Sequence, residues 1–94
     1  MEVIEYELQA RFDRCASFYG KAKVVECEGN YNQKGYKELW SYNTLVARIE
    51  DGKVDVYGWF SVTTGRHINE FLKQNGFEKM TKIEMKTNKR KGEK

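Results

Sequence analysis

DGKVDVYGWFSVTTGRHINEFLKQNGF, residues 51–77, is the stretch around which the chain is organised. Asp51-Gly52 is a strong signal for a type I′ hairpin, because both central residues of that turn need a positive φ. The residues that follow, 53–60, alternate between inward and outward positions and predict a strand. The stretch therefore predicts a hairpin whose second strand leads into the helix that comes next.

Residues 65–75 predict the main helix of the fold. Thr63 or Thr64 can cap the free N–H groups at its start, and Asn75-Gly76 provides a stop at its end. Three apolar side chains recur with the i, i+3, i+4 spacing of one helix face: Ile68, Phe71 and Leu72. We therefore expect this face to lie against a sheet.

Three upstream segments alternate with period two and predict strands: residues 2–8, 17–27 and 38–50. A short helix is the alternative for residues 2–8. Residues 28–37 are rich in Gly and Asn and predict a loop. Thr81 and Glu84 have the spacing of a capping box, so residues 81–86 predict a short second helix, with a final strand as the alternative.

The predicted fold class is α+β, with a small antiparallel sheet of three to four strands and one main helix packed on one face. Five side chains are expected on that covered face: Phe18, Leu45, Val54, Val56 and Phe60. Residues 1–85 are expected to form a single domain, and residues 86–94 a basic, solvated tail. The tail has five basic residues and one acidic residue, a net charge of +4, so the body carries −1 of the total of +3.

Composition predicts a cytoplasmic protein without a cofactor. The sequence has no apolar run long enough to cross a membrane and no secretory signal pattern. Cys15 and Cys27 are expected to be reduced, structural thiols, with a disulfide or a reactive thiol as the alternative. Two cysteines and one histidine are too few for a closed zinc site unless carboxylates complete it, so no metal site is predicted.

Aromatic and basic residues alternate in the predicted strands and indicate a binding surface. If the strands register as predicted, one sheet face carries seven of them: Trp40, Tyr42, Tyr57, Trp59, Lys21, Lys23 and Arg48. Such a set suits a protein interface anchored by Trp and Tyr, or stacking of single-stranded nucleic acid. The alternative is a second core layer covered by the amino-terminal segment. The low charge of the body makes the nucleic-acid interpretation the weakest of the three.

The start of the predicted helix gathers a second set of polar residues. Four residues there are candidates for binding an anion at the helix N-terminus: Thr64, Gly65, Arg66 and His67. His67 could also act as a base for Ser61 or a neighbouring threonine. Helix capping alone explains these hydroxyl groups, so no catalytic residue is predicted and the protein is expected not to be an enzyme.

Three blocks of the sequence resemble a family of small uncharacterised proteins from bacteriophages and prophages. The blocks are residues 17–22 (SFYGKA), 41–47 (SYNTLVA) and 57–77, the last being the most specific. The resemblance spans residues 17 to about 80 and implies a short phage-type accessory protein. Some small proteins of that origin inhibit host defence, including anti-CRISPR proteins.

The resemblance and the surface together predict non-enzymatic binding to a protein partner. The expected partner is a host protein or defence complex, met in the host cytoplasm and blocked by binding. The alternative is a small nucleic-acid-binding accessory protein that uses the basic tail, whose affinity would fall steeply with salt.

Overall fold

The computed structural model describes residues 3–13, 18, 20–29, 31 and 34–87 of the chain. In this part the elements run in the order β1 Val3–Glu7, β2 Ala22–Cys27, β3 Tyr36–Ser41, β4 Thr44–Glu50, β5 Lys53–Val56, α1 Val62–Gln74 and α2 Lys82–Thr87. The strands form one antiparallel sheet in the order β1-β2-β3-β4-β5. The α+β class is confirmed, but the described sheet has five strands rather than three to four, and a second helix is present.

The fifth strand arises because residues 38–50 form two strands instead of one. Tyr42 has a φ of 60°, and the Asn43 N–H donates to the Ser41 carbonyl at 2.9 Å, which reverses the chain in a γ-type turn. Ser41 and Thr44 face each other across this turn. Strict alternation would place these two residues on opposite faces, because they are three positions apart. The turn puts them on the same face and so inverts the alternation that the sequence pattern predicted.

A β-bulge restores the predicted alternation two residues later. Trp40 pairs with Leu45 and Leu39 pairs with Ala47, so Val46 is an extra residue in β4. Val46 and Ala47 are consecutive and both fully buried. The prediction that Leu45 lies on the helix-covered face is therefore wrong, because the turn places it opposite Trp40 on the other face.

The strand after the Asp51-Gly52 turn is shorter than the predicted residues 53–60. Asp51 and Gly52 have φ values of 53° and 74°, as a type I′ turn requires. Gly58 has a φ of 142°, which bends the chain soon after β5 ends at Val56. Phe60 is 45% exposed, so its predicted place on the inner face is wrong.

Helix α1 has the predicted C-terminus but a different N-cap. Ser61, not Thr63 or Thr64, accepts the Thr64 N–H at 3.1 Å. At the other end the Gly76 N–H donates to the Lys73 carbonyl and the Phe77 N–H to the Leu72 carbonyl, which is the Schellman arrangement. The cap differs because the helix begins at Val62, three residues before the predicted start, which puts Ser61 in the N-cap position.

The core lies between α1 and one face of the sheet. It contains the predicted helix stripe together with inward residues of four strands and Phe18: Ile68, Phe71, Leu72, Val24, Leu39, Ala47 and Val56. Helix α2 begins at the predicted capping box, in which Thr81 Oγ1 accepts the Glu84 N–H and Glu84 Oε1 accepts the Thr81 N–H. It adds Met85 to the core. Residues 88–94 of the predicted tail lie outside the described residues.

Glu70 is a buried carboxylate that ties α1 to the segment after β1. It is only 2% exposed, although it lies off the apolar stripe of the helix. Its Oε1 accepts the N–H groups of Phe12 and Asp13, each at 2.8 Å, and its Oε2 accepts the Gln74 amide at 2.6 Å. A buried charge with this many donors is a structural bond between distant segments.

Replacing Glu70 with alanine should lower the free energy of unfolding by about 2–4 kcal/mol, because two backbone N–H groups lose their buried acceptor. Urea denaturation measures the change. Glu78→Ala, which removes an exposed carboxylate of the same length, should stay within about 0.5 kcal/mol of the parent. Equal effects of the two substitutions would contradict the structural role of Glu70.

Candidate binding surface

The face of the sheet opposite α1 is not covered by any helix in the described part of the chain. The strand register places Lys23, Trp40 and Leu45 in one row across β2, β3 and β4. The next row continues to β5 and consists of Val25, Glu38, Arg48 and Asp55. This open face, defined by these two rows, combines large apolar side chains with charged ones.

The charged side chains of the open face are largely paired with one another. Arg48 contacts Glu38 at 3.2 Å and Glu50 at 3.0 Å, and its guanidinium lies 4.2 Å from the centre of the Tyr36 ring. Lys23 contacts Glu5 at 3.4 Å. The face is therefore close to neutral, even though it presents several basic groups.

A depression of about 290 Å³ lies at the end of the open face where β3 turns into β4. Four of the seven residues predicted for the binding surface line it: Lys21, Lys23, Trp40 and Tyr42. Within the described residues Lys21 makes no ion pair, and its ammonium lies 5.8 Å from the centre of the Tyr42 ring. The depression thus offers two aromatic rings and an available cation to a partner.

Tyr42 is held in an unfavourable backbone conformation at the rim of this depression. Its φ of 60° is uncommon for a residue with a bulky side chain, and its side chain is 51% exposed. The Tyr42 N–H donates to the Lys21 carbonyl at 2.7 Å, which fixes the turn against β2. Residues in such conformations occur preferentially at functional sites.

The remaining predicted surface residues fall in two different places. Arg48 lies on the open face, and Tyr57 is exposed within electrostatic range of it. Trp59 lies on the helix side, where it packs against the core and the Lys82 ammonium sits 5.3 Å from its ring centre. The bend at Gly58 separates Trp59 from the other six residues, so the predicted face does not include it.

The predicted anion-binding corner is filled by the protein itself. Thr64, Gly65 and His67 are buried, and the Trp59 ring lies directly on Gly65. Arg66 forms a two-pronged contact with the Asp13 carboxylate. These contacts leave the first turn of α1 without the open backbone cradle that an anion needs.

His67 belongs to a buried hydrogen-bond network that sequence reasoning missed. Ser41 Oγ lies 2.9 Å from His67 Nδ1 and 2.9 Å from Thr64 Oγ1. The edge of the Phe18 ring meets the imidazole at a centroid distance of 4.6 Å. All three polar residues are buried, so the pair Ser41–His67 has the atoms of a nucleophile and base but no access for a substrate. The feature of the sequence that could have indicated this network is Ser41, a polar residue on the inner face of β3.

Burial and the nearby Arg66 lower the pKa of His67 below its usual value. The unfolded chain therefore binds a proton at His67 at pH values where the folded chain does not. The stability that the neutral imidazole contributes is complete above about pH 6.5. It is lost as the pH falls from there through the lower pKa of the folded state.

We expect the free energy of unfolding to fall more between about pH 7.5 and about pH 5.5 in the parent than in His67→Gln, which has no titratable group at this position. Urea titrations of both proteins at each pH measure the difference. Since other groups titrate equally in the two proteins, an identical pH dependence would contradict the burial of a neutral His67.

Gly65→Ala should destabilise the protein by about 1–3 kcal/mol, although this substitution inside a helix normally stabilises by about 1 kcal/mol. A Cβ at this position would stand 2.6 Å from Cζ3 of Trp59. In a Trp59→Ala background the clash is absent, and the same substitution should become neutral or stabilising. Thermal unfolding of the four proteins tests the contact, and a stabilising effect in the parent would refute it.

A larger cavity, about 520 Å³, lies at the opposite end of the sheet beside the β2–β3 connection. Its lining includes Cys27, which is a free, buried thiol, together with Tyr36, Lys37 and Asn75. None of the predicted surface residues lines it. Cys15 lies outside the described residues. Within the described part of the chain no cluster of three His, Cys, Asp or Glu side chains could hold a metal ion, and neither helix could span a membrane.

Comparison with known proteins identifies a family but no activity. Residues 6–87 match DUF8033, a family of unknown function. The chain belongs to this family. No curated protein and no solved structure is significantly similar to it. The match covers β2 to β5, both helices and the last two residues of β1, so the open face lies within the family's shared region.

Proposed function

We propose that this protein acts by binding another protein through the open face of its sheet, without catalysis. The observation that carries the proposal is the depression in which Trp40 and Tyr42 lie beside Lys21 and Lys23. Tryptophan and tyrosine are the residues that most often anchor protein interfaces, because they bury large apolar areas with few rotatable bonds.

The pairing of charges favours a protein over a nucleic acid as the partner. Arg48 contacts Glu38 and Glu50, and Lys23 contacts Glu5. A phosphate backbone laid across this face would meet these carboxylates, and binding to nucleic acid depends mainly on unpaired basic groups. The nucleic-acid alternative rests on the basic residues 86–94, most of which lie outside the described residues.

The burial of the polar network supports a binding role over an enzymatic one. Ser41 and His67 form the nearest approach to a nucleophile and base, yet both lie beneath the sheet surface. A catalytic base needs contact with the substrate proton directly or through one water. Contacts within the fold account for the hydroxyl groups of Ser61 and Thr64.

The resemblance to small phage and prophage proteins extends the proposal to the partner. We propose a phage-type accessory protein that inhibits a host protein or defence complex in the host cytoplasm, anti-CRISPR activity being one form of such inhibition. A binding protein of this size inhibits by covering a functional surface of its target, and an exposed sheet face bearing two aromatic residues is suited to that mode.

Affinity capture from host lysate followed by measurement of the dissociation constant tests the proposal. Trp40→Ala should weaken binding of the captured protein by at least about tenfold. Ile83→Ala, which removes an exposed apolar side chain from α2, should leave the affinity unchanged. Equal affinity of all three proteins would place the binding surface elsewhere.

A mobility-shift assay with mixed DNA and RNA distinguishes the alternative, nucleic-acid binding, from binding to a protein. Nucleic-acid binding that disappears with added salt or after deletion of residues 86–94 would support the nucleic-acid interpretation. The proposal predicts that removing the tail leaves capture of the protein partner intact.

A further inference from the structure

The outer edge of β1 is a second place where a partner could bind. The Leu8 N–H donates to the Ala22 carbonyl at 2.9 Å, which fixes the backbone pattern of the β1–β2 pair. Because this pattern repeats every two residues, the N–H and C=O groups of Val3, Glu5 and Glu7 point away from the sheet. No other strand of the described chain pairs with this edge, so a row of backbone donors and acceptors is available.

The helix side of this edge presents apolar surface. Ile4 is 49% exposed and Tyr6 is 41% exposed, although both lie on the face of the sheet that α1 covers elsewhere. A cavity of about 430 Å³ adjoins Tyr6, and its lining combines apolar side chains such as Leu8, Phe12 and Phe71 with the polar side chains of Arg11, Lys37, Gln74 and Asn75. An apolar side chain beside Tyr6 would reach this cavity.

The opposite side of the edge is acidic. Glu5 and Glu7 project there from β1, and Glu7 Oε1 accepts the Gly20 N–H at 2.8 Å. Lys23 stands opposite Glu7 in the register and contacts Glu5 at 3.4 Å. Because both carboxylates lie on the edge strand itself, a basic residue is favoured on any strand that adds to this edge.

We propose that β1 receives an extended segment of a partner protein as a sixth strand. The segment pairs its backbone with Val3, Glu5 and Glu7. Its basic side chains face Glu5 and Glu7, and its alternate, apolar side chains lie over Ile4 and Tyr6. Strand addition of this kind takes affinity from the backbone hydrogen bonds and specificity from the alternating side chains.

A second copy of this chain fits the same edge poorly. The register that pairs the whole of β1 with itself places Glu5 directly opposite Glu5, and like charges in that position destabilise a strand pair. A basic, alternating segment removes this repulsion. The inference goes beyond the proposed function, because it depends on Glu5 and the β1 backbone and not on Trp40.

The test uses three peptides of about eight residues, the length of an ordinary strand. The first alternates lysine and valine, the second alternates glutamate and valine, and the third is the lysine peptide with methylated backbone nitrogens. We expect the lysine peptide to bind the parent protein at least about tenfold more tightly than either of the others. Fluorescence anisotropy of labelled peptides measures the affinities.

Substitutions in the protein, two of which reverse a charge, provide the matched controls. Glu5→Lys should reverse the preference, so that the glutamate peptide binds more tightly than the lysine peptide. Asp55→Lys, which changes an exposed acid on the strand at the opposite edge, should bind as the parent does. Trp40→Ala should also leave peptide binding unchanged, which separates this site from the open face.

Amide hydrogen exchange gives the direct readout. With the lysine peptide bound, the amides of Val3, Glu5 and Glu7 should gain protection, whereas those of Ile4 and Tyr6, already bonded to β2, should change little. Three outcomes would each overturn the inference: absence of binding up to about 1 mM lysine peptide, equal binding of the methylated peptide, or binding without protection of those three amides.

Discussion

The hydrogen bonds from Ser41 to Thr64 and His67 connect the middle of the sheet to the first turns of the main helix, and the arrangement of the two layers depends on them. When His67 is neutral with its proton on Nε2, Ser41 donates to Nδ1 and Thr64 can donate to Ser41, so His67 Nδ1 and both buried hydroxyl groups are paired. A misplaced helix would leave these groups unpaired in the core, at a cost of about 1–3 kcal/mol for each one. The network therefore specifies which face of the sheet the helix covers.

The two faces of the sheet differ in composition. The covered face carries small and branched side chains such as Ala22, Val24 and Ala47, which leave room for the helix. The open face carries Trp40, Leu45 and Arg48. Most of its charged side chains are paired within the protein, with Arg48 contacting Glu38 and Glu50 and Lys23 contacting Glu5. Glu70 adds a second link, from the helix to the segment after β1.

The sequence predicted the features that depend on near neighbours in the chain. The Asp51-Gly52 turn, the Schellman ending of α1 and the capping box at Thr81 all follow from residues within a few positions of one another. The α+β class followed from the same local signals. Four of the residues predicted for the binding surface line one depression: Lys23 and Trp40 face each other on adjacent strands, as the alternation predicted, and Lys21 and Tyr42 lie directly beside the ends of those strands.

The sequence did not predict features that depend on distant partners or on small changes of alternation. Nothing in the pattern marked Tyr42 as a turn residue with positive φ, so the inversion at Leu45 and the bulge at Val46 were missed. Glu70 is buried because its donors lie 57 and 58 residues away, and Ser41 meets His67 across 26 residues. Trp59 does not lie on the open face because the chain bends at Gly58. A glycine in a strand pattern permits such a bend but does not require it, so the pattern did not predict the bend.

The two tryptophans supply the most direct test of the central claim, that the open face is the binding surface. Trp40 lies on the open face and Trp59 on the helix side, so their indole N–H signals in a proton–nitrogen correlation spectrum report on the two layers separately. Substitution of each by phenylalanine assigns the signals. On addition of the captured partner, the account predicts that the Trp40 signal shifts or broadens while the Trp59 signal stays in place. A shift of Trp59 with an unchanged Trp40 would contradict it.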